Sequence, residues 1–210
     1  MRLIRTVIWQ IALLFVLAFP TQAQTIEPTK DAVVRHILKE TKNRVKLGDA
    51  IRMVNSAFKE AAKHSLDPLF VLAIIGPEST YNVNARSSEG ARGLMQVIPK
   101  WHRDKIKGRS IGRIEVNIEV GTQVLADCLT SKKGYIKKAL SCYSSNARNY
   151  TAKIKSSYQK LQKAEIQYRF ENELPIAAMT PFESAAKFPI SLNTEQDLAI
   201  QQKLTASVIP

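Results

Sequence analysis

The feature that most constrains the fold is a run of residues from Leu66 to Ile75 that has almost no polar side chains. Asp67-Pro68 near its start is typical of a helix N-terminus, because aspartate caps free N–H groups and proline is accepted at the first helical position. A helix that is apolar on every side has to be covered by other elements. The sequence therefore predicts a helix buried in the core.

Most of the remaining chain also has apolar residues at helical spacing. The further helices predicted in this way are residues 31–45, a helix capped by Asp49, a helix that Asn117 opens, residues 135–144 and residues 147–162. We find no pair of strand patterns, no internal repeat and no low-complexity tract. The predicted fold class is all-α.

The N-terminal segment, residues 1–23, has the pattern of a signal peptide. Arg2 and Arg5 form its positive region, and residues 11–19 form its apolar region. Thr21-Gln22-Ala23 has the small residues of a cleavage site. The apolar region is short for a spanning helix, although an uncleaved anchor is the alternative. We expect a periplasmic or secreted protein that has no integral membrane span in its mature form.

The C-terminal segment changes character, because prolines interrupt each candidate element up to Leu192; they are Pro175, Pro181 and Pro189. Only residues 194–204 have the pattern of a short capped helix. The predicted organisation is a signal peptide over 1–23, a helical extension over 24–47, the main helical domain over 48–164 and a largely irregular tail over 165–210.

The charge of the chain is uneven. The formal net charge is +13, yet the segment from Glu165 onward has six acidic and three basic residues, so residues before it carry the positive charge. A basic domain attracts anionic partners over a long range. For an exported protein these are the carboxylate-bearing cell-wall polymer or anionic lipids. The export signal, and the lack of interleaved aromatic and basic residues, argue against nucleic acid as a partner.

Two cysteines, Cys128 and Cys142, fall in consecutive predicted helices joined by a short turn. In an oxidising compartment they could form a disulfide, and the alternative is two small buried side chains. The three histidines are scattered along the chain, at His36, His64 and His102. We therefore expect neither a metal site nor a cofactor.

The candidate catalytic residue is Glu78, which stands at the end of the apolar helix, directly after Pro77. Apolar surroundings and the negative end of a helix both disfavour an ionised carboxylate, so they raise its pKa toward the range that a general acid needs. Arg92 would reverse this if it formed an ion pair with Glu78, and we expect its guanidinium to point elsewhere. The alternative is that Glu78 is an ordinary surface residue.

The order of short motifs over roughly residues 48–162 resembles the soluble lytic transglycosylase (SLT) domain, a relative of goose-type lysozyme. The matching residues are Glu78-Ser79, Gly90-Ala91-Arg92-Gly93-Leu94-Met95-Gln96, Asn117-Ile118 with Gly121 and Val124-Leu125, Ala139-Leu140-Ser141-Cys142-Tyr143, and Tyr150, Lys153, Ile154 and Tyr158. One departure is Ser144-Ser145-Asn146, where the family usually has Asn-Ala-Gly. The resemblance implies a lysozyme-like helical domain with a groove.

The resemblance also implies roles for single residues. Glu78 matches the catalytic acid, and the substrate-binding residues are Ser87, Met95, Gln96 and Tyr143, of which the tyrosine hydroxyl is expected to approach the catalytic carboxyl. Each of the four has a purely structural alternative.

The activity implied is cleavage of the bond between N-acetylmuramic acid and N-acetylglucosamine in peptidoglycan, with formation of a 1,6-anhydro end. By analogy alone, so small an enzyme would suit a secretion, conjugation or pilus apparatus. Two alternatives stay open: hydrolysis assisted by Glu89, and a non-catalytic peptidoglycan-binding or assembly protein on the same fold.

Overall fold

The computed structural model describes residues 22–145, 147–176 and 180–186, without the side chains of residues 22–27 and Glu183. Helices account for all its regular elements in these ranges, and the only β-structure described is two isolated bridges, Arg86 with Arg92 and Arg92 with Val97. The helices are α1 (Gln22–Glu40), α2 (Leu47–Lys63), α3 (Pro68–Ser79), α4 (Arg103–Ile106), α5 (Ile114–Ser131), α6 (Ile136–Tyr143) and α7 (Tyr150–Glu171), with 3-10 turns at Pro99–Trp101 and Phe182–Ser184.

Helix α3 lies at the centre of the core, as the sequence predicts. Its start is capped by Asp67, whose Oδ1 accepts a hydrogen bond from the Leu69 N–H at 2.8 Å. Every residue from Leu69 to Ile75 is buried. Helices α2 and α7 pack against α3, α5 packs against α2, and α6 connects α5 to α7.

The C-terminus of α3 runs past Pro77 and ends at Ser79, with Thr80 in the left-handed conformation at φ 50°. Proline removes one backbone hydrogen bond here, but the Thr80 N–H still donates to Gly76 O at 2.8 Å. Glu78 therefore stands in the last turn of the helix, where the unpaired carbonyl groups concentrate.

Several element boundaries differ from the predictions. The first helix ends at Glu40 instead of residue 45, and α5 begins at Ile114, so Asn117 lies in its first turn rather than at its cap. The last helix continues to Glu171, because its buried residues, including Leu161 and Arg169, keep facing the domain. The predicted boundary at residue 164 thus falls inside a helix, and the first part of the predicted tail is helical.

The described part of the tail also docks onto the core. Phe182 and Ala185 are buried, and the Phe182 ring lies edge-on to Phe70 and Tyr158, with centroids 5.7 and 5.8 Å away. The Asp67 N–H, at the start of α3, donates to Ala185 O at 2.9 Å. The short helix expected over residues 194–204 lies outside the described residues.

A disulfide joins Cys128 on α5 to Cys142 on α6, with Cα atoms 5.9 Å apart. The bridge fixes α6, and thereby Tyr143, relative to the long helix α5. The predicted signal peptide lies outside the described residues, apart from its last two positions, which begin α1. Within the described ranges no helix is both long and apolar enough to cross a bilayer.

Candidate active site

Glu78 is a half-buried carboxylate at the C-terminal end of the most buried helix. Burial raises its pKa, since an ionised carboxylate loses hydration in these surroundings. Two smaller influences act in the opposite direction: a hydrogen bond from Tyr150 and the positive charge of Lys153. The net effect is a carboxyl group that holds its proton at a higher pH than an exposed glutamate does.

Tyr150 is the hydrogen-bond partner of Glu78. Its hydroxyl donates to Glu78 Oε1 at 2.5 Å from the first turn of α7. Burial raises the pKa of this hydroxyl well above the ordinary value of a tyrosine, and its neighbours Tyr143 and Glu78 raise it further. The phenol therefore stays protonated and orients one carboxyl oxygen without neutralising the charge that Glu78 acquires on ionisation.

No arginine pairs with Glu78 among the described residues. Arg92 is exposed and contributes nothing to the pKa shift of Glu78, in agreement with the expectation that its guanidinium points elsewhere. The causes of that shift also include no second carboxylate, and Glu89 is an exposed residue of the following loop. Glu78 is thus a solitary acid in the described part of the chain.

A buried asparagine, Asn117, connects the loops that follow α3. Its Oδ1 accepts from the Met95 N–H at 2.8 Å, and its Nδ2 donates to Arg92 O at 2.8 Å and Ile111 O at 3.0 Å. Gly93 lies so close that a Cβ atom there would be 2.4 Å from Asn117 Nδ2, and its φ is +73°. A larger residue at position 93 would push the asparagine away from its three partners.

The methionine of the same loop is a core residue. The Met95 side chain is 0% exposed, and a Cβ atom on Gly121 of α5 would lie 2.6 Å from its Cβ and Sδ. The glycine therefore allows Met95 to pack directly on the helix backbone. The Tyr143 hydroxyl donates to Met95 O at 2.7 Å, which ties α6 to this loop.

The family model described as the transglycosylase SLT domain matches residues 55–166, just over half of the 210-residue chain. The chain belongs to this family. Its all-α, lysozyme-like SLT fold agrees with the fold class that the sequence predicts.

Among solved structures, the chain is similar to the X-ray structure of an inactive mutant of the lytic transglycosylase Slt from Pseudomonas aeruginosa. The sequence identity is 19% and the TM-score is 0.43. The similarity covers 58% of this chain and 24% of that one, so this SLT chain spans about a quarter of the length of that protein.

The predicted substrate-binding residues of the SLT domain differ from one another in how far they are buried. Ser87 is exposed on the loop and its Oγ accepts from the Ala91 N–H at 3.1 Å. Gln96 is half-buried, with φ 48°, and its Nε2 donates to Gly93 O at 2.8 Å. The Met95 side chain has no exposed surface, so in this structure it fills the core, which was the structural alternative, and does not line a site.

The tyrosine expected beside the catalytic carboxyl differs from the one observed. Burial raises the pKa of the Tyr143 hydroxyl and the nearby charge of Glu78 raises it further, but this hydroxyl donates to Met95 O. The hydroxyl that contacts Glu78 belongs to Tyr150, for which the sequence predicts no role in the site. The only signal for Tyr150 in the sequence is its place among the residues that match the SLT motifs.

We expect Tyr150→Phe to raise the pKa of Glu78, because the variant loses a hydrogen bond that favours the ionised carboxylate. The buried ring stays, so the fold should be retained. Heteronuclear NMR titration of the Glu78 carboxyl measures the change without depending on activity. Tyr135→Phe is the matched control, since Tyr135 is 62% exposed and has no bond to Glu78. An unchanged or lowered pKa in Tyr150→Phe would contradict the assignment.

Proposed function

We propose that this chain is a peptidoglycan lytic transglycosylase that uses Glu78 as its single acid and base. The observation that carries the proposal is the surroundings of Glu78: a carboxyl with raised pKa, half-buried at the end of α3 and held by a neutral phenol. Membership of the SLT family supports peptidoglycan as the substrate.

The proposed reaction begins with a proton transfer from Glu78 to the oxygen that bridges N-acetylmuramic acid and N-acetylglucosamine. The C1–O bond of the muramoyl residue then breaks, and its N-acetyl group stabilises the cationic centre. The ionised Glu78 next takes the proton of the muramoyl 6-hydroxyl, whose oxygen bonds to C1 and closes the 1,6-anhydro ring. One carboxyl serves first as acid and then as base, and no water is consumed.

Among the described residues Glu78 has no second carboxylate beside it, which favours this route over the usual glycosidase hydrolysis, in which one carboxylate lies on each side of the bond. Glu89, the alternative second carboxylate, is exposed on its loop and does not influence the pKa of Glu78. Tyr150 fits a positioning role, because it holds the carboxyl in both protonation states without supplying a competing charge.

Export to the periplasm or beyond is part of the proposal, as is service to an envelope-spanning apparatus. The Cys128–Cys142 disulfide supports an oxidising compartment, where such bridges persist. The positive charge of the chain, +13 overall, supports attraction to an anionic polymer such as the cell wall.

The test is digestion of purified peptidoglycan sacculi in isotopically labelled water, followed by mass analysis of the soluble fragments. We expect fragments with 1,6-anhydro ends, which are one water lighter than hydrolytic products and contain no label. Labelled reducing ends would identify a hydrolase instead. Failure of the chain to release any fragment, together with retained binding to sacculi, would favour the non-catalytic binding protein.

A further inference from the structure

A cavity of about 420 Å³ lies beside the loop that follows Glu78. One wall is the loop itself, with Arg86 and Arg92, and the opposite wall is the segment from Ile106 to Gly112. Its volume is in the range of sites that hold small ligands or ligand fragments. Three arginines line it and no acidic residue does, so it favours a negatively charged group.

Arg86 and Arg92 face each other across an antiparallel bridge. The flanking bonds run from Gly93 N to Ala85 O at 2.9 Å and from Ser87 N to Ala91 O at 3.1 Å. This pattern defines a non-hydrogen-bonded pair, in which the two side chains share one face and come closest together. Two like charges placed directly opposite each other destabilise the loop unless an anion lies between them.

The third arginine is already neutralised. The Arg109 guanidinium forms two hydrogen bonds with the Glu119 carboxylate, at 2.8 and 2.9 Å. Arg86 and Arg92 have no such acidic partner in the described part of the chain. The cavity therefore carries an excess of two positive charges, both on the loop side.

Both walls of the cavity are fixed to the same side chain. Asn117 donates from one Nδ2 atom to Arg92 O on the loop and to Ile111 O on the opposite wall. The spacing of the walls is thus set by the fold before any ligand arrives. Pre-organisation of this kind reduces the ordering cost of binding.

We propose that the Arg86–Arg92 pair binds a carboxylate of the peptide stems attached to the glycan. The inference rests on the proposed function, which supplies a substrate whose stems carry carboxylates. Guanidinium groups bind carboxylates through two parallel hydrogen bonds. Arg86 directly precedes Ser87, one of the predicted substrate-binding residues, so the pair lies on the loop that is expected to contact the glycan. The pair would make the enzyme prefer peptide-bearing glycan to stripped glycan.

The test measures binding to the Glu78→Gln variant, so that no probe is cleaved. The three probes are a disaccharide tetrapeptide, the same compound with its peptide carboxylates amidated, and the peptide-free disaccharide with its lactyl carboxylate. In the Glu78→Gln background, Arg86→Gln with Arg92→Gln should weaken binding of the first probe at least about tenfold. Binding of the other two should change less than twofold. Lys39→Gln with Lys46→Gln is the charge-matched control, because both lysines are exposed and neither lines the cavity.

Three results would overturn the proposal: no loss for the first probe, equal losses for all three, or a loss confined to the peptide-free disaccharide, which would assign the pair to the lactyl group. Arg86→Glu offers a second variant, since the new carboxylate would pair with Arg92 and occupy the site. Thermal melting checks that both variants fold. This binding readout is separate from the digestion of sacculi, so failure of one proposal can be told from failure of the other.

Discussion

Replacing Glu78 with glutamine should reduce glycan cleavage by a factor of about 10³ or more, because a positioned general acid contributes 10² to 10⁴ and this residue serves in both proton transfers. The amide has nearly the same shape and still accepts the hydrogen bond from Tyr150, which in the structure joins Glu78 Oε1 at 2.5 Å. The fold should therefore survive. Ionisation of the half-buried Glu78 carboxyl at neutral pH destabilises the folded state, because burial raises its pKa. Glutamine does not ionise, so the melting temperature should stay equal or rise.

Glu89→Gln is the matched control for this loss. It changes the same functional group and the same charge, but at an exposed position of the loop after α3. Clearing of peptidoglycan in a gel and release of soluble fragments measure the activity of both variants. A comparable loss in Glu89→Gln would point to a two-carboxylate mechanism, and full activity in Glu78→Gln would remove the catalytic role of Glu78.

The second large effect concerns stability. We expect Asn117→Ala to lower the free energy of unfolding by about 3–5 kcal/mol, since three backbone groups would lose their partner in a site that is 1% exposed. Those groups are the Met95 N–H and the carbonyls of Arg92 and Ile111. The loop after Glu78 and the wall opposite it would separate, so activity should fall as well.

Asn55→Ala provides the comparison, because Asn55 is an exposed residue in the middle of α2 and alanine is the better helix former. That variant should be as stable as the parent or slightly more so. Urea denaturation of both variants, read as the shift in midpoint at constant slope, gives the difference. A loss below about 1 kcal/mol in Asn117→Ala would mean that water satisfies the three groups instead.

Local rules predict the elements of this fold well. The cap at Asp67 and the burial of Leu69–Ile75 follow from residues adjacent in sequence, and both are observed. Contacts between distant residues do not follow from such rules. The bond between Tyr150 and Glu78 joins residues 72 positions apart, and helical spacing alone cannot say which of several tyrosines reaches the carboxyl.

Met95 shows why a residue near a site can be misjudged from sequence. Its position between Gly93 and Gln96 suggests a place in the site, whereas its burial is set by Gly121 on another helix. The glycine removes the side chain that would otherwise keep the loop away from α5. The role of Gly121 becomes visible only when the loop and α5 are seen packed together. In the sequence it is one small residue among others.

The tail segment over residues 180–186 packs on the core beyond the end of the family match, which matters for any shortened form of the chain. The family match stops at residue 166, but Phe182 and Ala185 cover α3 from beyond that limit. A chain cut at the family boundary would bare the Phe70 ring and lose the last turn of α7. A shortened form should therefore include residues up to about Ala186 if α3 is to stay covered.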